Sequence, residues 1–288
     1  MATYDGQSMT TSTSKSPTVD ALITDLDGTF WSHQMQIHDA SMAAVAALDS
    51  AEIPFVIATG RRAQSALQGL APRGLDSRPG ILMNGALARD VLAGDSFLVD
   101  AITQEDASAV LQTFRAGNLE PVAYIDHPTT DMLVGPGGAA GEEYLSKTVG
   151  YTHVDSLDGA LPGHSVIGFG AFGFDYELLE PIAAQINDAR LATAIIGLSL
   201  FEGKHGLMIQ GHAVDKQSAI EAWCTRRGID KTRLAVVGDG HNDIEMLSNA
   251  HIAIVPSNAA PEILELADAA IPPNEEGGWE QIPDIIGL

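Results

Sequence analysis

Four short apolar runs, each closed by a cluster of small and polar residues, constrain the fold of this chain most. Ala21–Thr24 runs into Asp25-Leu26-Asp27-Gly28-Thr29, Pro54–Ala58 into Thr59-Gly60-Arg61-Arg62, Gly80–Met83 into Asn84-Gly85-Ala86, and Leu234–Val237 into Gly238-Asp239-Gly240-His241-Asn242-Asp243. Runs that are apolar at every position are strands buried on both faces, the signature of a parallel sheet covered by helices. Helical spacing follows the first run over Asp39–Ser50, with Met42, Val45, Ala46 and Leu48 on one stripe and Asp39 as the expected N-cap. A second helix closes at Leu70, and others are predicted at Gln217–Arg227 and Ile244–Ala250. Ile252–Val255, a helix over Pro261–Leu266 and a strand at Ala269–Ile271 continue the alternation. The expectation is an α/β fold with a Rossmann-like, doubly wound and mostly parallel sheet.

The rhythm breaks between residues 87 and 188. A hairpin is expected around Ala93-Gly94-Asp95 between Leu87–Arg89 and Ser96–Asp100, then a helix at Glu105–Ala116 and strands near Val122–Asp126 and Asp131–Val134. A strand at Val166–Phe172 leads to a helix from Asp175, its N-cap, to about Asn187. This pattern predicts an α+β cap domain (87–188) inserted into a core made of residues 20–86 and 189–288, with 1–19 as a solvated tail. Gly168 to Gly173 formally fits a dinucleotide fingerprint, but its Phe residues and position predict a strand with small residues instead. From residue 189 onward the chain is expected to be back in the core, where the strand Met208–Gln210 leads to Asp215-Lys216 and the helix Gln217–Arg227.

Charge narrows the function. With 38 acidic and 15 basic side chains the chain carries a net charge of −23, which disfavours nucleic acid and anionic membrane surfaces as partners. Apolar stretches such as Leu191–Phe201 are too short to span a bilayer, and Met1–Asp20 lacks the apolar segment of a signal peptide, so a cytoplasmic protein is expected. The single cysteine, Cys224, offers neither an internal disulfide nor a thiolate cage, and no H-x-x-x-H pair suggests zinc.

Ligands of doubly wound sheets bind beyond the carboxyl ends of the strands, where Asp25, Asp27, Thr59, Asp239 and Asp243 are all expected. Carboxylates converging at one sheet edge repel unless a cation lies among them, and a hard oxygen donor set points to Mg²⁺. Asp25 and Asp27 lie two residues apart, so in extended chain they project to one side, roughly 6–7 Å apart at Cα. One can attack phosphorus while the other handles a proton. Thr59 can donate to a phosphoryl oxygen and Lys216 can neutralise charge beside Asp25, with Asp239 and Asp243 as metal ligands. Plainer roles compete: Thr59 and Asp243 as helix caps, Asn84 as a turn former, Lys216 and Arg62 as solvated side chains, His241 as a surface loop residue.

The motifs Asp25–Thr29, Ala58–Arg61, Lys216 and Gly238–Asp243 resemble, in order and position, the four motifs of the haloacid dehalogenase (HAD) superfamily. Asn84-Gly85-Ala86 ahead of a long insertion resembles its Cof-type, class IIB branch. The resemblance implies Asp25 as nucleophile and Asp27 as general acid/base. It implies Mg²⁺ held by the Asp25 carboxylate, the Asp27 carbonyl and Asp239, with Asp243 acting directly or through water. Phosphate would be bound by Thr59, Gly60, Asn84, Lys216 and Asn242. It implies a phosphatase for small phosphorylated metabolites, sugar phosphates first; the sequence itself is compatible with a monomer or a dimer. A phosphomutase of the same superfamily and a non-catalytic phosphate-ligand binder are the alternatives. Gln217 after Lys216, and Ser257-Asn258-Ala259, depart from the family's usual Lys-Gly and Gly-Asn-Ala.

Overall fold

The computed structural model describes residues 18–32, 34–137, 142–198, 202–212 and 214–288. Among the described residues fourteen strands are found: β1 (Ala21–Thr24), β2 (Phe55–Ala58), β3 (Gly80–Leu82), β4 (Leu87–Arg89), β5 (Ser96–Val99), β6 (Val122–Ile125), β7 (Met132–Val134), β8 (Tyr151–His153), β9 (Val166–Phe174), β10 (Thr193–Leu198), β11 (His205–Gln210), β12 (Leu234–Val237), β13 (Ile252–Pro256) and β14 (Ala269–Ile271). They form an eight-stranded sheet, in the order β14-β13-β12-β1-β2-β3-β4-β5, and a six-stranded one, β10-β11-β9-β6-β7-β8.

The large sheet is parallel from β14 to β3, and its order turns at β1, with β2 on one side and β12 on the other. Its strands are apolar throughout because both faces are covered. Ile23, Val56 and Val236 pack into one cluster with Trp223 and Leu247 from the helices Lys216–Arg227 and Ile244–Ser248. Leu22, Phe55 and Val237 pack into another with Val45 and Leu48 of helix Asp39–Ser50. That helix is capped by His38, not Asp39: the His38 side chain accepts from the Ala40 amide. Trp279, in a C-terminal turn that sequence reading left unassigned, packs edge-on to Phe30 at 4.9 Å between ring centroids and donates to the Thr29 carbonyl at 2.9 Å.

The second sheet has two unlike faces. Ala123, Leu133, Phe169, Leu207 and Ile209 pack with the helices Gln104–Ala116 and Tyr176–Asp188. Val122, Tyr124, Met132 and Val134 join the core of the large sheet. Gly168 and Gly170 lie within β9, where a Cβ would run into the Ile209 carbonyl and the Tyr124 hydroxyl, so the glycines serve close strand packing.

Two stretches change sheets relative to the sequence expectation. Residues 87–99, expected in the inserted unit, form β4 and β5 and extend the large sheet antiparallel from β3. Thr193–Leu198 and His205–Gln210, expected in the core, form the antiparallel pair β10–β11 on the edge of the small sheet, and the chain re-enters the core only after Gln210. In both cases strand partners far apart in sequence decide the sheet, which periodicity cannot read. Most of the expected tail lies outside the described residues. Of the rest, Val19 is buried in the core and the Thr18 hydroxyl donates to the Ile286 carbonyl at 2.8 Å. Among the described residues no helix is long and apolar enough to cross a membrane.

Candidate active site

Asp25 follows the last residue of β1, and its amide donates to the Val237 carbonyl at 2.9 Å, so β1 and β12 fix its backbone together. Gly28, at φ +82°, turns the chain away, and a Cβ there would overlap the Asp239 carboxylate. The Thr29 hydroxyl donates to that same carboxylate, tying the loop after β1 to the loop after β12.

Lys216 opens the helix Lys216–Arg227, whose N-cap Asp215 accepts from the Ser218 amide at 2.7 Å. The lysine is 1% exposed, and its Nζ lies 2.6 Å from both Asp25 Oδ1 and Asp243 Oδ1. Asp243 is fully buried, and its Oδ2 accepts from the amides of Asp239 and Gly240 at 3.1 and 2.9 Å. Both of its oxygens are therefore engaged, one organising the loop and the other holding Lys216. One oxygen each of Asp25, Asp239 and Asp243 lies within 4.8 Å of the others.

Burial pushes the Asp25 carboxyl up to about 7; Lys216 opposes this, and the charges of Asp243 and Asp239 reinforce it. Burial alone would lower the Lys216 ammonium, but Asp25 and Asp243 outweigh it and hold the group above its ordinary value. Three acids and one base so close in a dry site leave excess negative charge that a cation would relieve. The donors are all carboxylate oxygens, which suits a hard divalent ion.

The Asp27 carboxylate is outside that cluster. Arg61 grips it with two bonds, at 2.6 and 2.7 Å, and the Trp31 indole donates to it at 3.0 Å. Arg61 also lies over the Trp31 ring, 5.1 Å from its centroid. Thr59, after β2, uses its hydroxyl oxygen to accept from the Arg61 amide at 3.1 Å. Asn84, two residues beyond β3, adopts the left-handed conformation, φ +55°. Its Oδ1 accepts from Asn242 at 3.0 Å and its Nδ2 donates to Gln210 of the small sheet at 3.2 Å. Gly60 is needed beside it, since a Cβ there would crowd Asn84 Oδ1 at 2.9 Å. The expected site residues thus lie at one edge of the large sheet, on the segments that follow β1, β2, β3 and β12 and, for Lys216, at the first position of its helix. His241 lies at the exposed rim, near Glu262.

Sequence reasoning misplaced one residue and missed another. Arg62 is not solvated: it is 5% exposed and pairs with the buried Asp131, while also donating to the Val149 carbonyl at 2.7 Å. Gln210 was read only as part of a strand, yet it meets Asn84. The signal for both would be a partner distant in sequence.

A mostly parallel α/β sheet thus brings Asp25, just past its first strand, against a buried lysine and two more acids. Residues 22–281 match the family model described as haloacid dehalogenase-like hydrolase. The chain belongs to that family. A phosphoglycolate phosphatase of Archaeoglobus fulgidus is 31% identical over 104 residues, 36% of this chain and 47% of that protein, so the match spans about half of that relative's length. One from Methanopyrus kandleri is 23% identical over 87% of this chain and 89% of its own. Among solved structures, the HAD subclass IIB sugar phosphatase BT4131 superposes with a TM-score of 0.70 at 23% identity, covering 93% of this chain and 99% of that one.

Proposed function

We propose that the chain is a Mg²⁺-dependent phosphatase that hydrolyses small phosphomonoesters through a phosphorylated aspartate. The observation that carries this reading is the buried arrangement in which Lys216 bridges Asp25 and Asp243 beside Asp239. The carboxylates of Asp25 and Asp239 would hold the ion, and bound Mg²⁺ would neutralise charge on the phosphoryl oxygens.

Asp25 attacks phosphorus as Asp27, which takes a proton from solvent once the ester has displaced Arg61, gives that proton to the departing alkoxide. Asp27, now a carboxylate, takes a proton from water as that water attacks the aspartyl-phosphate, releasing inorganic phosphate and restoring Asp25. Lys216 offsets the charge that builds around Asp25. Asp243 keeps Lys216 and the Asp239 loop in place, and Thr59, Gly60, Asn84 and Asn242 receive the phosphoryl oxygens. Arg61 holds the Asp27 carboxylate until the ester arrives. The small sheet covers this edge as a cap, so the alcohol portion of the ester lies between the two sheets.

The test is inorganic phosphate release from a panel of phosphomonoesters, with Mg²⁺ and with chelator. Turnover is expected only with the metal and is expected to fall by about 10³-fold or more in Asp25→Asn, the scale of losing the nucleophile. Retained activity in that variant, shown folded by circular dichroism, would refute Asp25 as nucleophile.

A further inference from the structure

The chemistry of the alcohol is written on the face of the small sheet that looks onto the site. A cavity of about 510 Å³ lies there, between β9, β10 and β11 on one side and the loops of Asn84 and Asn242 on the other. Strand register fixes what lines it. Ile195 pairs with Met208 and Gly197 with Gly206 across the β10–β11 hairpin, and Gly206 pairs with Phe172 of β9, so these five residues share one face.

The two glycines do different things. At Gly206 a Cβ would come within 2.9 Å of the Phe172 ring, so the glycine lets that ring lie against the sheet, its partner Tyr144 stacked 4.8 Å away. At Gly197 a Cβ would meet nothing within 4 Å, and no positive φ calls for glycine. The open space above Gly197 therefore belongs to the cavity. Ile195, beside it, is 50% exposed, a large aliphatic side chain left without protein cover at the cavity wall.

The polar side chains of the lining hold one another along the loop side of the cavity. Asn84 uses its oxygen on Asn242 and its amide nitrogen on Gln210, Gln210 turns its own nitrogen to the Val214 carbonyl, and His241 faces Glu262. Among the described residues no Lys, Arg, Asp or Glu lines the cavity. On the strand side Phe172, Ile195, Gly197, Gly206 and Met208 offer a polyol's hydroxyls no side-chain N–H or O–H partner, and a carboxylate-bearing alcohol would find no cation among the described lining residues.

We infer that the preferred substrate is the phosphomonoester of an apolar, flat alcohol of arylalkyl type, seated against Phe172, Ile195 and Met208, with Gly197 setting the room available to it. This inference rests on the phosphatase reading above and replaces sugar phosphates as the expected class. Apolar area removed from water at Ile195 and Met208, with contact along the edge of the Phe172 ring, supplies the selectivity.

The experiment compares kcat/KM for 2-phenylethyl phosphate, ethyl phosphate and a hexose 6-phosphate, all esters of primary alcohols, so intrinsic reactivity is nearly matched. Phenylethyl phosphate is expected to lead the sugar ester by about tenfold or more, chiefly through KM. In Gly197→Leu the phenylethyl-to-ethyl ratio should collapse towards one. Met208→Gln, which keeps the side-chain length, should lower the phenylethyl-to-hexose ratio and serves if the first variant fails to fold. A sugar ester hydrolysed as well as the aryl one, or ratios unmoved in both folded variants, overturns the inference while leaving the phosphatase standing. No phosphate from any ester, with folded wild-type protein and Mg²⁺, overturns the phosphatase reading and the inference with it.

Discussion

The ion pair between Arg62 and Asp131 lends itself to a quantitative test, because it joins the loop after β2 to the small sheet in a dry environment. Their side chains are 6% and 2% exposed. Asp131 also accepts from the Gln64 amide at 2.8 Å, and Arg62 also donates to Thr148 and to the Val149 carbonyl. Asp131→Ala leaves the guanidinium with neutral partners only, and Arg62→Met leaves the carboxylate with one amide. Each single change is expected to cost about 3–5 kcal/mol, the scale of stranding a buried charge. That is a large share of a domain stability of roughly 5–15 kcal/mol. Replacing both, as Arg62→Met with Asp131→Leu, removes the two charges together and refills the space with apolar atoms. The double variant should fall within about 2 kcal/mol of wild type, although the singles sum to roughly 6–10. Urea unfolding at pH 7 reads all four proteins, with equal m-values as the check that the same transition is compared. A double variant that loses the full sum would refute the claim that these residues matter as a charge pair.

The same carboxyl sets a pH dependence, and the fold makes a second demand at the C-terminus. Burial raises Asp131 above its ordinary value, more than Arg62 lowers it. Its contribution to stability is therefore full below an ordinary aspartate's range and is lost as pH rises through the raised value, so the stability of wild type relative to Asp131→Asn should decline from about pH 4 towards neutrality. A gap that is flat or widens with pH, in urea titrations at several pH values, would contradict this. Trp279 is fully buried against Phe30, and its indole holds the Thr29 carbonyl. Trp279→Ala should cost about 3–5 kcal/mol and, through Thr29 and its bond to Asp239, also lower kcat. A lowered Tm with wild-type kcat would show that the loop after β1 does not depend on this prop.

What the chain discloses in one dimension is what depends on near neighbours. The apolar runs at Ala21–Thr24 and Leu234–Val237 are legible because each residue needs cover on both faces whatever its strand partner is. Asp25, Asp27, Thr59 and Asp239 are legible because they stand at the ends of such runs. The identity of a strand's partner is not local. Thr193–Leu198 and His205–Gln210 are apolar runs like those of the core, and only pairing with β9 assigns them to the small sheet. Arg62 looks solvated because Asp131, which buries it, lies 69 residues away. Asp39 looked like the cap of its helix, yet the His38 ring reached the amide first. The cavity wall was hidden in the same way: Phe172, Gly197 and Met208 are ordinary strand residues until register sets them side by side.

The central claim is that phosphorus passes through a covalent bond to Asp25. Rapid acid quench of the enzyme with Mg²⁺ and a ³²P-labelled ester, followed by peptide mapping, tests it most directly. The account predicts a base-labile label on the peptide carrying Asp25 that forms within the first turnover and is absent in Asp25→Asn. Steady turnover with no labelled protein at any quench time, or a label on another residue, would contradict it.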